Sequence, residues 1–117
     1  MTPLQLQERM LELPHEIYLA NEAAIKAEED FQKVKAEYED AIDCEYLKLK
    51  ATGEGSTVKE LESMARQVTR EKRLAVIIQE AKMKSLKNKA EKLKTAFAAC
   101  QSSIKLTVAE MSANIGG

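Results

Sequence analysis

The stretch A-T-G-E-G-S-T, residues 51–57, decides the architecture. Glycine, an acidic residue and hydroxyls cluster here as nowhere else in the chain. Long runs on either side hold neither glycine nor proline. A phosphate-binding loop of the Walker type needs G-x-x-x-x-G-K-[ST] after a strand. Gly53-Glu54-Gly55-Ser56 lacks the lysine, no strand-like run precedes it, and the Glu54 carboxylate repels phosphate. As a helix connector the stretch is well suited. Gly53 can take the left-handed conformation that ends a helix, and Thr57 with Glu60 has capping-box spacing for the start of the next. Residues 52–56 therefore read as a turn between two long helices.

Working outward from the turn, the first arm carries Ile17, Ala20, Ala24, Ala27, Phe31, Val34, Tyr38 and Ala41 at alternating steps of 3 and 4. That spacing is the seam of a coiled coil, with alanines that allow close approach of a partner helix. Pro14 lacks the N–H that an interior helical position donates and disfavours helix at Leu13. The sequence thus predicts a short helix over 3–12, opened by Thr2-Pro3 and given an apolar side by Leu4, Leu6, Met10, Leu11 and Leu13, then a long acidic helix over 14–51. The second arm predicts one long basic helix over 57–112. Its apolar stripe starts at Val58, Leu61, Ala65 and Val68, is interrupted near Arg70 to Arg73, and resumes at Leu74, Ile77, Ile78 and Ala81. It continues through Leu86, Ala90, Leu93, Phe97, Cys100, Ile104, Val108 and Met111. The fold class is all-α: a long antiparallel helical hairpin, coiled-coil in character, with a short N-terminal helix, in a single helical domain over 1–117.

Folding back around residue 54 pairs position i with about 108 − i. Phe31 then meets Ile77, Val34 meets Leu74, Asp40 and Asp43 come beside Arg66 and Arg70, and Glu22 comes beside Lys84 and Lys87. Residues 1–62 hold 15 acidic and 7 basic side chains, a net of −8; residues 63–117 hold 4 and 11, a net of +7, matching the overall −1. Opposite charges on the two arms favour an intramolecular hairpin or an antiparallel dimer. Surface ion pairs contribute only about 0–1 kcal/mol each, so charge selects the register and the apolar seam supplies the stability.

Composition narrows the function. The chain is 32% charged, with two Phe, three Tyr and no Trp, which suits solvated helices better than a deep substrate pocket. Glu39, Asp40 and Asp43 read as register-setting charges rather than paired catalytic carboxylates, and His15 as a surface residue. Cys44 and Cys100 are too few and too far apart for a metal site and read as small hydrophobes; on the straight hairpin they lie tens of ångströms apart and form no disulfide. No nucleophile–base–orienter set is present, so no catalytic residue, cofactor or metal is expected and the protein is read as non-enzymatic. No apolar run long enough to span a bilayer and no basic-then-apolar leader occur in the sequence, which gives a cytoplasmic expectation with no membrane partner.

Two surfaces remain as candidates. The unequal arms leave 96–112 overhanging, and Phe97, Cys100, Ile104, Val108 and Met111 share one face there. The short N-terminal helix or a second chain can cover that face, and the expectation is a homodimer with Phe97 and Ile104 central to it. Lys82, Lys84, Lys87, Lys89, Lys92 and Lys94 form the other candidate, a run opposed only by Glu91. Such a run can contact phosphates in a salt-dependent way, although no aromatics are interleaved to stack on bases.

The pattern T-V-K-E-L-E-S-M-A at 57–65, the Lys/Glu/Ala-rich helix after it and L-K-T-A-F-A-A-C-Q-S-S-I-K-L at 93–106 resemble small coiled-coil proteins from the early regions of bacteriophages and prophages. The resemblance covers about half the chain. It implies an accessory or anti-host factor in the host cytosol, often encoded beside recombination and single-strand-binding proteins, and it supplies no active-site residues. The expected function is a coiled-coil interaction protein acting on a protein partner. The alternative is a nucleic-acid-binding accessory protein in phage recombination or replication, using the lysine-rich face 82–94.

Overall fold

The computed structural model of the protein describes residues 2–53 and 57–116. Glu54, Gly55 and Ser56 of the predicted turn lie outside the described residues. Among those residues the chain is helical and without strands: α1 (Pro3–Thr52), α2 (Val58–Val68) and α3 (Arg70–Gly116). The all-α hairpin read from the sequence is the fold, and it contains one short helix. That helix follows the turn instead of preceding Pro14.

Local chemistry sets the helix ends. At the start of α1 the Thr2 hydroxyl accepts from the Gln5 amide at 3.2 Å, and the Gln5 side-chain oxygen accepts from the Thr2 amide at 2.8 Å. This reciprocal box satisfies two donors that a helix start leaves open. At the other end Gly53 has φ of 69°, the left-handed conformation that glycine adopts without a steric penalty. The Thr57 hydroxyl accepts from the Glu60 amide at 3.1 Å and so caps α2, as its spacing predicted.

The break expected at Pro14 does not occur, because α1 runs through it. An interior proline costs a helix about 3 kcal/mol. Leu13, immediately before it, is fully buried, and burying such a side chain stabilises by about 1.5–3 kcal/mol. Arg9 also donates to Glu16 at 2.8 Å across the turn that contains the proline. Tertiary packing and this two-turn clamp together offset the local defect.

The chain divides into two compact units, Met1–Ile25 with Ser85–Gly117, and Lys26–Lys84. In the first, Leu6, Leu13 and Cys100 form a core with Met10, Leu93, Ala96, Phe97 and Ile104 against it. Further along the same unit, Ala20 and Ala23 lie near Leu86, Lys89 and Leu93 around a groove of about 400 Å³. In the second, Leu49, Leu61 and Ala65 form a core with Ile42, Tyr46 and Met64, and Ala41, Cys44 and Glu45 lie near Val68, Thr69 and Lys72. In each unit rising numbers in α1 meet falling numbers in the other arm. The arms are therefore antiparallel, but Leu13 lies with Cys100 and Cys44 with Thr69, so the register is nearer 113 − i than the expected 108 − i.

All eight predicted seam positions of the first arm, Ile17 through Ala41, are buried or half-buried. The second arm departs from expectation in two ways. The predicted continuous helix 57–112 is divided at Thr69, whose hydroxyl donates to the Ala65 carbonyl at 2.8 Å while its amide donates to the same oxygen at 3.1 Å. Such a hydroxyl return can bend a helix, but the same bond at Thr95 and Thr107 leaves α3 unbroken. The division reflects the non-helical backbone of Thr69, φ −96° and ψ 16°. The stripe also takes a different phase in the middle of the arm. Leu74, Ile77 and Ile78 are 44%, 53% and 65% exposed, and Ala81 is exposed too, so the expected Phe31–Ile77 and Val34–Leu74 contacts do not form. Half-buried Val76 and Gln79 and buried Met83 take the seam instead. The reason is geometric: stepping back from Ala90 by alternate threes and fours reaches 83, 79 and 76, and the helix phase outweighs the hydrophobicity of neighbouring residues. Gln79 Oε1 is buried there without a hydrogen-bond partner among the described residues.

These assignments make a sharp contrast testable by chemical denaturation. At protein concentrations low enough to keep the chain monomeric, Leu13→Ala is expected to lower stability by about 2–5 kcal/mol, whereas Leu11→Ala, at a side chain 82% exposed, changes it by no more than about 0.5 kcal/mol. Equal losses at the two sites contradict the phase of α1. Pro14→Ala restores an amide donor at an exposed position and is expected to raise the unfolding midpoint, by up to about 3 kcal/mol; an unchanged or lower midpoint contradicts a continuous α1.

Candidate interaction surfaces

The C-terminal stripe is used within the chain. Cys100 is buried against Leu6 and Leu13, with Phe97 and Ile104 packed on the same core. The N-terminal end of α1 is thus the cover, and the proposed seam through Phe97, Cys100 and Ile104 is not available to a second chain. The correction follows from Pro14: once α1 continues through it, the first two turns lie alongside α3. Only Val108 and Met111 of that set remain more than half exposed, at 55% and 57%. They line a small groove with Pro3, Leu6, Ile104 and Thr107.

Arg9 braces α1 within this segment. Its guanidinium lies 2.8 Å from Glu16 and 3.6 Å from Glu12. The hydrogen bond to Glu16, chiefly, holds its pKa above the ordinary arginine value against the opposing effect of desolvation. The sequence reading passed over this residue, although a cation with carboxylates three and seven positions on was visible in it.

All six lysines of the run, Lys82, Lys84, Lys87, Lys89, Lys92 and Lys94, are exposed. They do not share a face. At about 100° per residue, Lys87 and Lys94 fall on one side of the line through Ala90, Leu93 and Cys100, and Lys89 and Lys92 on the other. Lys84 pairs with Glu80 at 2.9 Å rather than with the expected Glu22, and Lys94 pairs with Glu91 at 3.3 Å. The run therefore borders the seam on both sides.

The other candidates keep their places as isolated groups. His15, Glu39, Asp40 and Asp43 are exposed. Among the described residues no group of three or more His, Cys, Asp or Glu could hold a metal ion, and no helix is long and apolar enough to cross a membrane. Both cysteines are free; Cys100 is buried as read, but Cys44 is exposed.

A feature missed in the sequence lies on the outer side of α1. Leu4, Leu11, Tyr18 and Ile25 are 64%, 82%, 60% and 53% exposed. Leu4 and Leu11 had been assigned to one apolar side with Leu6, Met10 and Leu13. The structure separates them, turning Leu6 and Leu13 inward and Leu4 and Leu11 outward. The signal was the repeat of seven, which keeps all four on one side. No protein-family model, curated protein or solved structure matches the chain.

The burial pattern predicts a difference in thiol reactivity. In the native protein Cys44 reacts with a maleimide at the rate of an exposed thiol, Cys100 is protected, and both react equally in denaturant. Mass-spectrometric mapping of the labelled peptides checks this, and native labelling of Cys100 as fast as Cys44 overturns the packing of Cys100 beneath the N-terminal end of α1.

Proposed function

We propose that the protein is a non-enzymatic coiled-coil interaction protein that acts by binding helices of other polypeptides. The observation that supports this reading is the outward placement of large apolar side chains in both arms: Leu4, Leu11, Tyr18 and Ile25 on α1, and Leu74, Ile77 and Ile78 on α3. Single exposed apolar residues are ordinary on protein surfaces, but aligned sets of them mark contact sites. The resemblance to small coiled-coil proteins of phage early regions gives this reading its setting, an accessory or anti-host factor in the host cytosol. A homodimer belongs to the same reading, through these outer faces rather than through Phe97 and Ile104.

A second reading, nucleic-acid contact through Lys82, Lys84, Lys87, Lys89, Lys92 and Lys94, is favoured by the exposure of all six. It is weakened by their division between two sides of the helix.

Affinity capture with the tagged protein tests the first reading against the second. Proteins retained by the parent are expected to be lost from the Leu11→Lys/Tyr18→Lys variant, with helicity by circular dichroism unchanged. Retention of the same proteins by both overturns the first reading. An electrophoretic shift of DNA at low salt, abolished by replacing the lysines, establishes the second reading instead; no shift at micromolar protein removes it.

A further inference from the structure

We propose that the outer face of α1 docks on the outer face of α3 in a second copy of this chain. The inference rests on the interaction reading above and names its partner. Leu4, Leu11, Tyr18 and Ile25 are more than half exposed and extend about 32 Å along α1 at 1.5 Å per residue. They point away from the side on which Leu6, Leu13, Ala20 and Ala24 are buried. Exposed Glu8 and Glu22 lie beside them, with exposed Lys26 on the same flank at the Ile25 end. Two such faces paired with each other bring carboxylates to both walls of the contact, which repel, so the favoured occupant is an apolar helix face with a basic border.

The chain carries one. Leu74, Ile77, Ile78 and Ala81 occur at i, i+3, i+4 and i+7, all exposed and on one face of α3. Exposed Arg70, Arg73 and Lys82 border that face, together with one carboxylate, Glu71. The interval from Leu74 to Ala81 equals that from Leu11 to Tyr18, two helical turns, so the α3 face matches the central third of the α1 face. This face is apolar because the seam of α3 passes through Val76, Gln79 and Met83 and leaves the more hydrophobic residues outside. Complementary charge across such a contact selects the partner and its orientation, and the aliphatic and tyrosine side chains supply the buried area.

Native mass spectrometry and sedimentation of the purified full chain at low salt test the proposal. The parent is expected at twice the 13.1 kDa chain mass or more at tens of micromolar, and Leu11→Lys/Tyr18→Lys at the single-chain mass with helicity retained. A charge exchange removes dependence on any one variant's folding. Glu8→Lys/Glu22→Lys and Arg70→Glu/Arg73→Glu are each expected to weaken association at least tenfold, and all four substitutions on one chain to restore it. A parent that stays monomeric overturns the proposal. If capture of other proteins still depends on Leu11 and Tyr18 in that case, only the second copy as partner fails and the interaction reading stands. A parent assembly indifferent to every variant, or a four-substitution chain that does not reassociate, also overturns the pairing of α1 with α3.

Discussion

Leu13 is enclosed by Leu6, Cys100 and the side chains packed around them, one residue before a proline that by itself ends helices. The energies are comparable in size, about 1.5–3 kcal/mol for the burial and about 3 kcal/mol for the proline, so continuity of α1 depends on the far end of α3 being present to receive Leu13. Other features follow from that contact. The first turns of α1 cover Phe97, Cys100 and Ile104, Arg9 reaches Glu16 over the proline turn, and Leu4 and Leu11 are committed to the outside because Leu6 and Leu13 are inside.

Much of this architecture was legible in the sequence. The end of α1 at Gly53, the Thr57 cap, the antiparallel pairing of the arms and the whole alanine-rich seam of the first arm are where periodicity and capping chemistry put them, because those signals are local or repeat over many turns. The register, by contrast, is displaced by several residues from the expected 108 − i. What sequence reasoning missed lies where a local rule competes with a distant contact. Pro14 has a strong local preference that packing reverses. The middle of the second arm has strongly apolar residues at positions that the phase, fixed by Leu61 and Ala65 at one end and Ala90 and Cys100 at the other, turns outward. The buried, partnerless oxygen of Gln79 records the same outcome: no hydrophobicity scale places a glutamine in a seam when Ile77 and Ile78 are its neighbours. Of the candidate sites, the lysines are exposed as read, while the apolar overhang was visible but its cover was not.

Several ion pairs do not follow the charge distribution of the two arms. The halves differ by net charges of −8 and +7, yet the ion pairs of Arg9, Lys48, Lys84 and Lys94 each lie within one helix. Pairs of this kind contribute about 0–1 kcal/mol. Buried Ala20, Ala24 and Ala27 line the first arm's side of the contact, and small side chains allow close approach of a partner helix.

The division of the chain into two units has a consequence for the order in which the hairpin forms. Leu49 and Leu61 share a core although only 12 residues separate them, whereas Leu13 and Cys100 are 87 residues apart. Loop-closure entropy rises as the logarithm of length, so from an open chain the distant contact costs about 2 kcal/mol more to close than the near one. Once the near core has formed, each following turn of the two arms closes only a short additional loop, and the penalty is met in small steps. The cheap route is a zipper that starts at the glycine turn and ends at the proline, which places the costliest residue of α1 in the segment that joins last and opens first.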